Sequence, residues 1–197
     1  MNPCPTAILV AGTGRHLDHL ATLSKAGELP LDVRLCISQK PGVKALDHAA
    51  RHGVEALVID ARRELDPGAY SDAIFGAIDE RGIELVLLAG FLRFLPIPER
   101  WTGRVLNIHP SLLPAFGGQG FYGDRVHHAV LQRGCKVSGC TVHYVDNVFD
   151  HGPILVQRTC PVLAGDDVHS LATRVFEQEL LAYPEAIELH LGLSSPA

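Results

Sequence analysis

Short runs of Val, Ile, Leu and Ala alternate along the chain with longer stretches in which apolar residues recur every three or four positions. The first pattern suits strands buried on both faces of a sheet; the second suits helices that cover a sheet with one apolar stripe. On this reading strands fall at Ala7–Val10, Asp32–Ile37, Ala56–Ile59, Leu85–Leu88, Val105–His109, Gly139–Val145 and Ile154–Pro161. Helices fall at Leu17–Ala26, Val43–Arg51, Gly68–Arg81, Arg125–Arg133 and Val168–Leu189. Strand and helix alternate through the first half, which predicts a Rossmann-like, doubly wound α/β fold: a mostly parallel seven-stranded sheet with right-handed crossovers. The last two strands follow each other without a long helix, so an antiparallel portion is expected near the C-terminus. No repeat, low-complexity tract or linker interrupts the pattern, and the final residues from Leu193 onward are expected to fray.

Composition narrows the classes. With 197 residues, 47% apolar and 20% charged, the chain reads as one globular domain, residues 1–197, and not as a disordered segment. Lys and Arg number 17 against 22 Asp and Glu, a net charge of −5 that gives no electrostatic hold on nucleic acid or anionic lipid. Cys4, Cys36, Cys135, Cys140 and Cys160 are odd in number and lack a C-x-x-C pair, so neither a disulfide framework nor a zinc knuckle is expected. No basic leader precedes the first apolar run and no apolar stretch is long enough to span a bilayer, so the expected setting is soluble and cytoplasmic.

Two places carry candidate chemistry. The first strand runs into Gly12-Thr13-Gly14-Arg15-His16 before a helix, which leaves backbone N–H groups and the positive helix end facing any bound anion. A phosphate suits such a turn, and so does a plain strand-to-helix connection, because glycine serves both. The dinucleotide fingerprint is absent, since its third glycine would fall at Leu17. The second place is Val105 to Pro114. Residues two apart share a strand face, so Asn107 and His109 leave the strand together while Leu106 and Ile108 turn to the core. Pro110 ends the strand, which puts the pair beyond its carboxyl end, where open α/β sheets bind ligands. An amide donor beside an imidazole can stabilise a carbonyl oxygen that becomes an oxyanion; the same pair can also merely satisfy a strand end.

The run Asn107-Ile108-His109-Pro110-Ser111-Leu112-Leu113-Pro114, with Gly139-Cys140-Thr141-Val142-His143-Tyr144-Val145 and Asp150-His151-Gly152-Pro153-Ile154 downstream, resembles the formyl-folate transferase and hydrolase group. Within it the chain is similar to the branch that formylates glycinamide ribonucleotide. The likeness extends over nearly the full length, through Leu88-Ala89-Gly90-Phe91-Leu92-Arg93, Glu177-Gln178-Glu179 and Tyr183-Pro184. It implies a purine-biosynthesis enzyme that moves the formyl group of the cosubstrate 10-formyltetrahydrofolate onto the glycinamide amine, without a metal. By position it implies that Asn107 donates to the developing oxyanion, that protonated His109 stabilises it and acts as general acid, and that Asp150 favours the charged imidazole. It further implies folate contacts from Phe91, Leu92, Arg93, Phe94, Leu95, Asn107, Val145, Asp146 and Asp150, and phosphate contacts from Gly12, Thr13, Gly14 and Arg15. Glu179 would hold the acceptor amine, and His143 would orient the catalytic groups from behind. Residues 1–104 would then be a phosphate-binding half and residues 105–197 a catalytic and folate-binding half. The implied partners are small molecules, with neither nucleic acid nor membrane, and the chain is expected to be a monomer or homodimer.

Structural readings stand beside several of these. Asp146 can be a turn former, His127 a helix-packing residue, Glu179 part of a solvated helix face, and Phe91 to Leu95 a packed loop that leaves Arg93 no particular task. Two departures from the family pattern matter. The phosphate loop carries Arg15 and His16 where relatives have a hydroxyl and an amide, which loosens the identity of the acceptor; Arg15 could compensate with its charged fork. The stretch Gly117-Gly118-Gln119-Gly120-Phe121-Tyr122-Gly123 is longer than in many relatives, and a lid or acceptor-site loop is expected there. Other readings are a sugar-nucleotide formyltransferase, a formyltetrahydrofolate hydrolase, a methionyl-tRNA formyltransferase core, and a folate- or nucleotide-binding module without catalysis.

Overall fold

A computed structural model describes residues 2–60, 62 and 66–193. The chain divides into two compact units, Met1–Leu106 and Asn107–Ala197. The first contains β1 (Cys4–Val10), α1 (Arg15–Ala26), β2 (Leu31–Ser38), α2 (Lys44–His52), β3 (Glu55–Val58), α3 (Pro67–Asp79) and β4 (Leu85–Ala89), then a 3₁₀ turn at Glu99–Trp101. β1 pairs in parallel with β2 and β4, and β2 with β3. β5 (Val105–His109) leads into the second unit, which contains α4 (Asp124–Arg133), β6 (Val137–Tyr144), β7 (Ile154–Pro161) and α5 (Val168–His190). β6 and β7 pair antiparallel. The strand order is β3-β2-β1-β4-β5-β6-β7, the mostly parallel seven-stranded sheet with an antiparallel end that the sequence pattern predicts.

The unbroken apolar runs behave as expected where a strand has neighbours on both sides. Ala7 to Val10 and Leu85 to Leu87 are all but inaccessible to solvent, which leaves them no polar face. β3 corrects the pattern reading: its run resembles the others, yet Glu55, Ala56 and Val58 are exposed, because the strand lies at the sheet edge and pairs only with β2. An apolar run states that a segment can be buried, not which strand is outermost. α3 starts at Pro67, ahead of the expected Gly68, since Asp66 accepts the Ala69 N–H at 2.7 Å and proline is preset for a first helical turn. The 3₁₀ turn, which the pattern does not predict, buries Trp101 against Phe75, with its Nε1–H donated to Asp79 at 3.0 Å. α5 opens on a reciprocal cap between Asp167 and Ser170 and carries Pro184 in its interior. The fraying expected of the chain end falls, beyond Leu193, outside the described residues. Among the described residues no helix is long and apolar enough to cross a membrane.

Candidate active site

In the second unit β5 sets the geometry. Leu106 and Ile108 are buried on one face, while Asn107, half-buried, and His109, buried, share the other with Val105 near the strand's carboxyl end. The turn after it is fastened to β6 and β7. Thr141 donates its hydroxyl to the Ser111 carbonyl at 2.7 Å and accepts the Leu113 N–H at 3.0 Å. Gln157 donates to both the Leu113 carbonyl and the Thr141 hydroxyl at 3.0 Å. Ser111 closes the turn on the Ala115 carbonyl at 2.6 Å. The Leu113-Pro114 peptide within it is cis.

Four side chains that the sequence singles out meet here. His109 Nδ1 lies 3.5 Å from Asp150 Oδ2, and Asn107 Nδ2 lies 3.4 Å from Asp150 Oδ1. Asn107 Nδ2 also lies 3.1 Å from His143 Nε2. The other nitrogen of His143, Nδ1, is 2.8 Å from the Tyr144 carbonyl, which can only accept, so Nδ1 bears the proton and Nε2 is left as an acceptor for Asn107. Burial pushes the His143 pKa down; the Tyr144 carbonyl and the Asp150 charge pull against this without overcoming it. His143 is therefore a neutral ring of fixed tautomer. Two backbone groups complete the cluster: the Phe116 carbonyl accepts from His109 Nε2 at 2.9 Å, and the Gly118 N–H donates to Asp150 Oδ2 at 2.9 Å.

Asp150 and Asp146 have different surroundings. Asp146 accepts the Val148 N–H at 2.9 Å and pairs with His151 Nδ1 at 2.8 Å, so it ties its own loop together. Desolvation opposes ionisation of Asp146, but His151 and the Val148 N–H outweigh it and hold its carboxyl below the ordinary range. Asp150, in a left-handed backbone conformation with φ of 50°, turns to the histidines instead. Val145 is half-buried between β6 and this loop.

On α5, Glu179 is buried, which overturns the solvated-face reading. Its charge bears on His127 of α4, on Tyr183 and on Cys140, whose thiol is pushed up to about 12 by burial first and Glu179 next. His127 is buried with no partner for Nδ1, and desolvation lowers its pKa against the pull of Glu179 and Asp124. A helix-packing histidine would ordinarily have that nitrogen satisfied.

In the first unit, Gly12 and Thr13 are exposed, and Arg15 begins α1. Gly14 is buried with φ of 72°, and a Cβ there would lie 2.6 Å from the Ala45 Cα. The glycine is thus required by the close approach of α2, whatever the loop binds. In the stretch after β4, Phe91 stacks on Tyr70 with centroids 6.5 Å apart, and the Arg93 guanidinium lies 4.5 Å over the same ring. Arg93 thus has a packing task that the loop reading denied it. The Leu92 N–H is 3.4 Å from Gln39 Oε1, Leu92 is exposed, Phe94 half-buried and Leu95 buried. Among the described residues no group of three or more His, Cys, Asp or Glu side chains is placed to hold a metal ion.

Sequence reasoning missed the Phe116 carbonyl and the Gly118 N–H, for which no side-chain signal exists. It also missed Thr141 and Gln157, polar residues on neighbouring strands of which only Thr141 is buried.

Residues 5–187 match the model of the Formyl transferase family. The trifunctional purine biosynthetic protein adenosine-3 of Gallus gallus is 39% identical over 190 residues, covering 95% of this chain and 18% of that protein. The chloroplastic phosphoribosylglycinamide formyltransferase of Vigna unguiculata is 36% identical over 184 residues, covering 92% of this chain and 59% of that one. The chain thus spans less than two thirds of either curated relative. Among solved structures, glycinamide ribonucleotide transformylase 1 from Symbiobacterium toebii superposes with a TM-score of 0.89 at 36% identity, covering 96% of this chain and 89% of that one. The phosphoribosylglycinamide formyltransferase from Brucella melitensis superposes with a TM-score of 0.86 at 34% identity over the full length of both chains.

Proposed function

Because the chain belongs to the formyl transferase family, we propose that it transfers the formyl group of 10-formyltetrahydrofolate to the amine of glycinamide ribonucleotide in purine biosynthesis. The observation that carries this reading is the meeting of Asn107, His109 and Asp150, with separations of 3.4 and 3.5 Å to the one carboxylate. The amine attacks the formyl carbon and a C–N bond forms. The carbonyl electron pair moves to oxygen and is met by N–H donors on Asn107 and His109. Asp150 sets a carboxylate oxygen 3.5 Å from His109 Nδ1, a charge partner for the imidazole as it donates. A proton leaves the attacking nitrogen, the bond from the formyl carbon to the folate nitrogen breaks, and the folate nitrogen gains a proton.

The remaining assignments follow the family positions. Phosphate falls to Gly12, Thr13, Gly14 and Arg15. Folate contacts in the first unit fall to Phe91, Leu92, Arg93, Phe94 and Leu95, and in the second to Asn107, Val145, Asp146 and Asp150. Glu179 takes the acceptor amine, and its burial on α5 supports a specific task. A cytoplasmic setting fits the five free cysteines. A second reading, transfer to a different amine, is favoured only by Arg15 and His16 in the phosphate loop.

The test is a formyl-transfer assay with glycinamide ribonucleotide, other amines and water as competing acceptors. Glycinamide ribonucleotide is expected to be the preferred acceptor, and His109→Ala is expected to lower kcat by roughly 10²-fold or more with folate binding retained. Preference for another amine or for water, or full turnover in His109→Ala, defeats the assignment.

A further inference from the structure

At the carboxyl ends of the first unit's strands, Val10 of β1 lies in register with Ser38 of β2 on one side and Ala89 of β4 on the other. The strand order reverses here: the chain builds β2 and β3 on one side of β1, then returns to place β4 on the other. Open α/β sheets bind ligands outside such a switch point. Gly12-Thr13-Gly14 follows β1 at this end, and Gly90-Phe91-Leu92 follows β4. Among the described residues nothing comes within 4 Å of a Cβ built at Gly12 or at Gly90, so both exits face open space.

Gln39, which follows β2, reaches into this place. Its backbone N–H donates to the Val10 carbonyl at 3.2 Å, and its Oε1 accepts the Leu92 N–H at 3.4 Å. Since β1 lies between β2 and β4, the second bond spans the end of β1. A backbone N–H can only donate, so Oε1 must face Leu92 and the amide cannot be turned end for end. That leaves Nε2 with two hydrogens. Among the described residues nothing accepts either of them, although Gln39 is only 7% exposed. A side chain that merely fastened Leu92 would have no use for a buried donor without an acceptor, which is costly to keep.

We infer that Gln39 determines specificity for the acceptor substrate, its Nε2 donating to an oxygen of the acceptor's ribose or phosphate. The inference rests on the reading of the acceptor as glycinamide ribonucleotide, with its phosphate at the turn after β1. Backbone N–H groups and the start of α1 meet the charge of a phosphate, and a neutral amide adds a directed donor that tells an oxygen from an apolar group. The bond to Leu92 is long and the terminal torsion of glutamine is broad, so a turn of the side chain brings Nε2 to the ligand without moving the backbone. Binding thus supplies an acceptor that the fold withholds.

Two variants of the full chain decide it. Gln39→Glu keeps an oxygen for the Leu92 N–H and removes the donor, while Gln39→Leu removes both. Ribose 5-phosphate carries the ribose and the phosphate but no amine to formylate. By calorimetric titration it is expected to bind roughly 10-fold more weakly to each variant than to the unaltered protein. Inorganic phosphate separates the two oxygens: weakening with both probes assigns a phosphate oxygen, and weakening with ribose 5-phosphate alone assigns a ribose hydroxyl. In turnover, the KM for glycinamide ribonucleotide is expected to rise about 10-fold, with kcat and the KM for 10-formyltetrahydrofolate held within about 2-fold. A mere fastener of Leu92 behaves otherwise. Gln39→Glu then binds like the unaltered protein, and Gln39→Leu raises the KM for 10-formyltetrahydrofolate. Either result, or no binding of ribose 5-phosphate by the unaltered protein, overturns the inference. If ribose 5-phosphate binds through Gln39 and glycinamide ribonucleotide is not formylated, the functional reading fails while the task of Gln39 stands.

Discussion

His143 gives its two nitrogens opposite tasks. Nδ1–H is committed to the Tyr144 carbonyl, so Nε2 accepts, and the Asn107 amide must turn its nitrogen toward it. A neutral ring held in one tautomer thereby decides which end of Asn107 serves as donor. His143→Phe is expected to lower kcat about 10-fold or more, as losing a supporting hydrogen bond commonly does, and His143→Gln, which keeps an acceptor, is expected to recover part of it. Steady-state kinetics of the two variants checks this, and unchanged kcat in His143→Phe dismisses the positioning task. At this scale the sequence was partly legible. Asn107 and His109 stand out because alternation along one strand puts them on one face. Asp150 does not: only family resemblance separates it from Asp146, since both are loop aspartates, and what distinguishes them is that Asp146 is occupied by Val148 and His151. Phe116 and Gly118 act through backbone atoms, which every residue has, so no composition or spacing could mark them.

Elements depend on local chemistry at their ends and on neighbours along their lengths. The start of α3 is local. Asp66 accepts the Ala69 N–H at 2.7 Å and Pro67 needs no partner for an N–H. Asp66→Ala is expected to cost about 1 kcal/mol, read as a lower urea midpoint with unchanged m-value. A midpoint within error of the unaltered protein would show that packing of Tyr70, Ile74 and Phe75 alone holds the helix. The strands and helices were legible in kind and order, because periods of two and 3.6 arise from the backbone itself. Whether a strand is central or peripheral is not a local property. β3 has the same apolar run as its neighbours and ends up exposed because nothing pairs with its outer edge. The 3₁₀ turn holding Trp101 escaped for a related reason: three residues are too few to show a period, and the turn exists because a large ring is buried against Phe75 and Asp79.

For the whole molecule, buried imidazoles link stability to pH. Desolvation lowers the pKa of both His127 and His143 from the ordinary 6.5. Below about pH 6.5 the unfolded chain takes up protons that the folded one refuses, so their contribution to stability is complete above that pH and is lost as pH falls toward the folded values. The carboxylates held low, Asp18, Glu55, Asp146, Asp166 and Asp167, add losses only below about pH 4.5. The urea midpoint is therefore expected to be lower at pH 5.5 than at pH 7.5, and the double variant His127→Leu, His143→Phe is expected to flatten that dependence. Equal midpoints for the unaltered protein at both pH values would contradict it. The sequence by itself determined the α/β alternation, the strand that projects Asn107 and His109, and the resemblance that the family match supports, because each is written in local periodicity or in contiguous motifs. Only the tertiary structure decided that Asp150 and His143 converge on that strand, that Glu179 and His127 are buried, and that a peptide carbonyl and a peptide N–H occupy the catalytic pair. Those facts depend on distances between segments remote along the chain, and such distances are set by how the elements pack.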